Sequence, residues 1–394
     1  MTKVLMLVAD GMGDWPLDEL QGQTPLQAAF TPHMDSLAGK SRLGLCQTIP
    51  EGMPPGSDIA NMALLGYDPA VYHTGRGPIE AAAQGLETGT EDLIWRLNLV
   101  TLSRAGAGGK MLDYAGGHIT TEQALPLMER LQQEAGSQDL EFLVGVQYRH
   151  LLVQRLGATS ACARVNIRPP HDILDQEIDQ DLQEFAGCPA LESVFYRSAR
   201  ILENRVSGTK VNAVWPWGQG RSMSLPSFQK KFNMSGMVIT AVDLIRGLGR
   251  AAGMEVAEVP GATGLLETNY QGKAEAAVSF LKSGDFVFVH LEGPDECGHM
   301  GSIADKTEAI ARFDRHIVGP LLKQLQGSDF IMIICCDHLT PIRIRTHARD
   351  PVPFLIYSST HPRPGSEVFS EESARASGLL LDRGEDLLAA ALES

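Results

Sequence analysis

The sequence predicts an α/β protein: a mostly parallel sheet flanked by helices, interrupted by a smaller inserted α/β domain. Three observations predict it. First, short and almost wholly apolar runs recur far apart in the chain, at residues 4–9, 286–291, 330–336 and 353–357. Runs of this length and composition read as strands buried on both faces, as in a parallel sheet. Second, helical periodicity lies between them: within 304–325, Ile310, Phe313, Ile317, Leu321 and Leu325 recur at three- and four-residue spacing, and 238–248 repeats the pattern more weakly. Strand and helix in alternation give an α/β sheet. Third, the texture changes between 90 and 235. There, a strand-like 97–102, a helical 121–133 and a strand pair near 142–153 precede polar, proline-bearing loops. We read this middle stretch as an insertion, with residues 1–89 and 236–394 as one discontinuous core domain and 90–235 as a cap over its sheet.

Size and composition agree. A chain of 394 residues exceeds what one hydrophobic core usually organises, and 43% apolar with 21% charged residues describes a folded, loop-rich protein. The apolar run at 4–9 ends in Asp10 and is too short for a signal peptide, and no apolar run approaches the roughly 18 residues of a membrane span. The expected location is the cytoplasm. Six cysteines, two of them adjacent at Cys335 and Cys336 in an apolar run, lack the density of a disulfide scaffold and are expected as reduced core residues. A net charge of −15 argues against general nucleic-acid or anionic-membrane binding, which a basic surface normally serves. An anionic small substrate would need a local basic pocket.

In an open α/β sheet ligands gather at the carboxyl ends of strands, and three of the strands end in acid. Residues 4–9 run into Asp10 and Gly11; 286–291 run through Glu292-Gly293-Pro294 into Asp295 and, four residues on, His299; 330–336 run into Asp337 and His338. His347 follows before the next strand. A lone Asp after a strand is commonly a turn former or helix cap, and Asp295 and His299 could simply share one helical face. Their joint appearance at one end of three strands favours a metal site. Carboxylates mixed with imidazoles suit manganese or zinc better than calcium. A second signal is Pro54-Pro55-Gly56-Ser57-Asp58, a turn delivering Ser57 to the start of a helix. Backbone N–H groups and the helix dipole favour a phosphate there, although a serine in that place is usually only an N-cap.

Taken together, these motifs resemble the alkaline phosphatase superfamily, and more closely its archaeal-type cofactor-independent phosphoglycerate mutases. The similarity runs over nearly the whole chain: Asp10-Gly11-Met12-Gly13-Asp14, Gly56-Ser57-Asp58 with Leu65-Gly66-Tyr67-Asp68-Pro69, Gly75-Arg76-Gly77-Pro78, Trp215-Pro216-Trp217-Gly218-Gln219-Gly220, Asp295-Glu296-Cys297-Gly298-His299, Asp337-His338, Thr346-His347 and Asp350-Pro351-Val352-Pro353-Phe354. The resemblance implies an alkaline-phosphatase-like fold with two divalent ions. Asp295, His299 and His347 would hold one, and Asp10, Ser57, Asp337 and His338 the other. It implies manganese first, with zinc, cobalt or magnesium as alternatives, and no 2,3-bisphosphoglycerate. Ser57 would carry a phosphoserine intermediate between 3- and 2-phosphoglycerate, with the cap as a substrate-binding lid hinged near 90 and 235. Arg149 and His150, then Arg76, are the candidates for holding the small phosphorylated substrate.

One departure is visible. The broader group generally carries a lysine just before the chain re-enters the core, whereas here the phrase is Phe232-Asn233-Met234-Ser235-Gly236, with Lys230 and Lys231 upstream. A homoserine kinase of the same family, which would take phosphate from a nucleotide, and a metal-dependent phosphatase are the alternatives. A binding protein that kept the fold without its chemistry would be expected to have lost at least one of the seven residues. The oligomeric state is left open.

Overall fold

The computed structural model describes residues 2–203 and 209–393. Its strands are, in chain order, β1 (Lys3–Ala9), β2 (Arg42–Cys46), β3 (Leu93–Leu102), β4 (Met111–Asp113), β5 (Leu140–Val146), β6 (Arg149–Gln154), β7 (Ala213–Arg221), β8 (Gly236–Ile239), β9 (Glu255–Val256), β10 (Phe286–Leu291), β11 (Phe330–Cys335), β12 (Val352–Ser358) and β13 (Leu380–Leu381). The chain divides into two compact units, Met1–His73 with Leu225–Ser394, and Thr74–Ser224.

The first unit is built on an eight-stranded sheet in the order β13-β2-β12-β11-β1-β10-β8-β9. Its centre is parallel: β1 lies between β10 and β11, with Val8 level with His290 on one side and Cys335 on the other. Because the three strands finish level, the residues following them emerge at one edge. That register gathers the acidic residues. The strand expected at 353–357 is present but runs antiparallel to both β11 and β2. The cause lies in the connection. Residues 336–351 contain no helix, and a parallel return needs a crossover, usually a helical one. The helix expected over 238–248 is divided, since Val238 and Ile239 belong to β8 and the helix is Asp243–Ala251. The pattern over 304–325 is helical but passes from Ile303–Phe313 through a π-helical turn, Asp314–Val318, into Gly319–Gln324. Buried Asp314 there accepts hydrogen bonds from the backbone N–H groups of His33 and Met34, at 3.2 and 2.7 Å.

The second unit carries a five-stranded sheet in which β3 pairs antiparallel with β4, β6 and β7, and β6 with β5. The helices Thr121–Ala135 and Pro189–Glu203 bury an apolar stripe with Trp95, Phe185, Phe195 and Trp215. Its limits correct those expected at 90 and 235: residues 74–89 belong with this unit and 225–235 with the first. The glycines explain the first shift. A side chain at Gly75 would collide with the Gln219 backbone of β7, and one at Gly77 with Ile94 of β3, so the helix Arg76–Ala83 beds directly on that sheet. The cysteines also need correcting. Cys162 and Cys188 form a disulfide within this unit, while Cys46, Cys297, Cys335 and Cys336 are free and buried. Two cysteines 26 residues apart carry no pairing signal in the sequence. No described helix is long and apolar enough to cross a membrane.

Candidate active site

Ser57 opens the helix Ser57–Leu64 as its first residue, after an extended Gly56 N-cap. Its hydroxyl does not cap the helix. Instead Ser57 Oγ lies 3.1 Å from Nε2 of His338, the third residue of the loop after β11. The neighbouring Asp337 carboxylate is fully bonded: Oδ1 accepts from the N–H groups of Gly11 and His338 at 3.1 and 2.9 Å, and Oδ2 accepts from Asn61 Nδ2 at 2.7 Å. Asn61 also donates to the Ser57 carbonyl, at 2.9 Å, tying the serine helix to the loop after β11. Gly11 has φ +60°, and a Cβ there would come within 2.5 Å of Thr340 Oγ1 and 2.6 Å of Asp295 Oδ1. Only glycine combines that backbone with that space.

Two groups of side chains bring ligand-type atoms within 4.8 Å of one another: Asp10, Asp337 and His338, and Asp295, His338 and His347. His299 joins the second, its Nε2 3.1 Å from His347 Nε2 and 3.2 Å from Asp295 Oδ2. Helix Gly293–Met300 accounts for this, placing Asp295 and His299 on one face. The His299 Nδ1–H is taken by the carbonyl of Arg345, 3.0 Å away, a residue held at positive φ. That leaves Nε2 facing the group, the arrangement a metal-binding imidazole requires.

The electrostatics fit a cation. Asp10 is buried, and burial followed by the nearby Asp337, Asp295 and Glu292 carboxylates pushes its carboxyl well above the usual range. Its Oδ1 accepts no hydrogen bond among the described residues. Burial also pushes Asp337 and Asp295 upward, but the surrounding imidazoles outweigh it and hold both below the usual range. Glu292, buried beside Glu296 and Asp295, rises to about 8. Carboxyl groups crowded this closely without a cation, with an unsatisfied buried oxygen among them, suit divalent ions bound by mixed oxygen and nitrogen donors.

A family model described as the metalloenzyme superfamily matches residues 2–388. Over 98% of both chains the sequence is 45% identical to the 2,3-bisphosphoglycerate-independent phosphoglycerate mutase of Methanosarcina barkeri. The chain belongs to this family of cofactor-independent phosphoglycerate mutases. Among solved structures, a Pyrococcus horikoshii protein superposes with a TM-score of 0.83 at 29% identity, covering 100% of this chain and 97% of that one. The cofactor-independent phosphoglycerate mutase of Thermoplasma acidophilum gives 0.66 at 26% identity, covering 100% and 99%. The α/β architecture expected from the sequence is therefore the fold of this family.

The other expected residues lie in the second unit. Arg149 and His150 begin β6, opposite Asn98 and Leu97 of β3, and Arg76 begins the helix Arg76–Ala83. Arg149 and Arg76 are brought together around a residue that the sequence reading missed, Arg96 on β3, whose guanidinium feels both positive charges. Arg96 is buried, with Nε 2.9 Å from Glu80 and its guanidinium 4.4 Å from the centre of the Trp217 ring. His150 is different: it is 1% exposed, its Nδ1 accepts from Gly145 N–H at 3.0 Å, and its Nε2 has no hydrogen-bond partner among the described residues. Burial lowers its pKa to about 4.

Three groups in the first unit were also missed. His290, fully buried on β10, places Nε2 3.1 Å from Asp10 Oδ2; Thr340 touches both Asp295 and His338; and buried Lys306 bonds Asp14, the Gly13 carbonyl and the Thr340 carbonyl. The only signal for Thr340 was its place two residues beyond Asp337-His338. The displaced lysines have a location as well: Lys231 is exposed and sits 5.1 Å over the Tyr67 ring. A different lysine, Lys273, is buried, donating to the His290 carbonyl at 3.0 Å, with its pKa lowered by burial to about 8.

Proposed function

We propose that this chain interconverts 3-phosphoglycerate and 2-phosphoglycerate by metal-dependent phosphoryl transfer through Ser57, without 2,3-bisphosphoglycerate. The observation that carries the proposal is the Ser57 hydroxyl, turned away from its helix and 3.1 Å from His338 beside the buried carboxylates. The names of the relatives supply the substrate class. Asp295, His299 and His347 would hold one divalent ion, and Asp10, Ser57, Asp337 and His338 a second. Manganese is the ion we propose. Such ions, when bound, neutralise phosphoryl oxygens and favour the serine alkoxide.

The chain's own residues do the remainder. Ser57 Oγ gives up its proton and forms a bond to phosphorus as the bond to the substrate's 3-oxygen breaks and that oxygen takes up a proton; in the return transfer the 2-hydroxyl gives up its proton and bonds to phosphorus as the Ser57 Oγ–phosphorus bond breaks. The phosphoserine between these steps lies at the first turn of the helix Ser57–Leu64, where the N-terminal end of the helix dipole favours a phosphate. Arg149 and Arg76, with Arg96 added, are the residues we assign to the substrate's carboxylate and phosphate, because planar guanidinium groups match both anions; we keep His150 with them for the Nε2–H it can donate while Nδ1 accepts from Gly145.

Purified protein loaded with manganese is offered 3-phosphoglycerate, with 2-phosphoglycerate read through enolase, and separately homoserine plus ATP. Mutase turnover without net release of inorganic phosphate is expected. Phosphorylated homoserine with no 2-phosphoglycerate would replace the mutase reading by the kinase one, and phosphate release alone would make the protein a phosphatase.

A further inference from the structure

One hydroxyl touches a residue from each of the two candidate metal groups. Thr340 is completely buried, two residues after His338, and its Oγ1 lies 3.2 Å from His338 Nδ1 while donating to Asp295 Oδ1. Its backbone is fixed at both ends: the N–H donates to the Gly13 carbonyl at 3.2 Å, and the carbonyl accepts from Lys306 Nζ at 2.8 Å. Gly11, lacking a Cβ, leaves the hydroxyl its space. Nothing in the motif pattern assigns this residue a role.

The proton inventory decides what the hydroxyl does. A threonine hydroxyl has one proton to give, and an ionised carboxylate can only accept. The proton on Thr340 Oγ1 therefore goes to Asp295, and the same oxygen must accept from His338, whose Nδ1 then carries the hydrogen. A neutral imidazole protonated at Nδ1 has its lone pair on Nε2. That nitrogen faces Ser57 Oγ at 3.1 Å and the Asp10 and Asp337 carboxylates at 3.5 Å each. The opposite tautomer would require Thr340 to donate to Nδ1, stripping Asp295 of its bond and turning an N–H toward the first group.

We propose that Thr340 is a positioning residue that serves both metal groups at once. Its hydroxyl holds Asp295 in orientation and selects the His338 tautomer that presents Nε2 as a ligand. The inference rests on the reading of these two groups as metal sites. Partners of metal ligands at one remove typically change affinity by about 10–100-fold when removed, and Thr340 is placed to do so at two sites.

The test compares wild type, Thr340→Val and Thr340→Ser. Valine keeps the shape and removes the hydroxyl; serine keeps the hydroxyl and removes the methyl. Calorimetric titration of the metal-free full chain with manganese is expected to show Thr340→Val weakened by about 10–100-fold at both equivalents, with Thr340→Ser close to wild type. In parallel, nitrogen-15 spectra of histidine-labelled metal-free protein should show His338 protonated at Nδ1 in wild type and in Thr340→Ser, and redistributed in Thr340→Val. Wild-type affinity in Thr340→Val, weakening of one equivalent only, or failure of serine to restore binding would each overturn the proposal. So would an Nε2-protonated His338 in wild type. If wild type itself takes up no ion, the metal reading fails, and the spectra still decide the tautomer.

Discussion

The two units concentrate charge of opposite sign, and they hold it by different means. In the first unit, Asp10, Asp295 and Asp337 stand at the level ends of parallel strands. The Asp337 and Asp295 oxygens are fixed by Asn61, Thr340 and the Gly11 and His338 N–H groups, and Asp10 lies beside His290. In the second, Arg76, Arg96 and Arg149 gather on an antiparallel sheet, with Arg96 lying over the Trp217 ring and Arg149 over Tyr148. Directional hydrogen bonds fix the ligand oxygens in place, whereas aromatic faces hold a guanidinium with more latitude. The first arrangement suits permanently bound ions and chemistry. The second suits an anion that arrives and leaves. Substitutions in the first unit should therefore lower kcat, and those in the second should raise KM.

The largest effect expected is from Ser57→Ala. Loss of the nucleophile should lower the mutase kcat by about 10⁴-fold or more, with the fold of both units unchanged by circular dichroism. A variant retaining a tenth of wild-type turnover would show that Ser57 does not take the phosphoryl group, and the contrast between the units would lose its chemical half. A smaller effect is expected from Arg149→Gln in the second unit. One charged hydrogen bond lost to a substrate anion corresponds to a rise in KM of about 10–100-fold, with kcat changed by less than a few-fold. Steady-state kinetics in both directions measure it. A fall in kcat at unchanged KM would instead place Arg149 in the chemistry and merge the two roles.

The same contrast accounts for what could be read from the sequence. Asp10, Asp295, Asp337 and His338 were visible because a buried parallel strand is a short apolar run, and the residue that ends it is marked by the change in polarity. The register that levels β1, β10 and β11 was not visible, yet the strand ends alone pointed to one edge. Arg96 was hidden for the opposite reason. It lies inside β3, where its meaning depends on pairing with β6 and β7 and on the Trp217 ring. The Cys162–Cys188 bridge depends in the same way on a contact that no local spacing encodes. Thr340 was hidden because a hydroxyl serving two distant ligands looks, in sequence, like any threonine in a loop.

The smallest expected effect concerns pH and again separates the units. His150 is buried in the second unit, and burial lowers its pKa from an ordinary 6.5 to about 4. The folded value lies below the unfolded one, so between pH 6.5 and 4 the unfolded chain binds a proton that the folded chain does not. Stability must then fall as pH drops through that window, with a slope of up to about 1.4 kcal/mol per pH unit from this group. His290 in the first unit is lowered to about 4 by burial as well, so acid sensitivity alone does not assign the loss. His150→Asn separates them, since the amide oxygen can accept the Gly145 N–H in place of Nδ1 without titrating. Three of the four tryptophans, Trp95, Trp215 and Trp217, lie in the second unit, so intrinsic fluorescence reports chiefly its unfolding. The fluorescence midpoint of His150→Asn should fall less steeply than that of wild type between pH 6.5 and 4. Coincident curves would mean that His150 is protonated in the folded protein as readily as in the unfolded one, and that its environment is wetter than its 1% exposure implies.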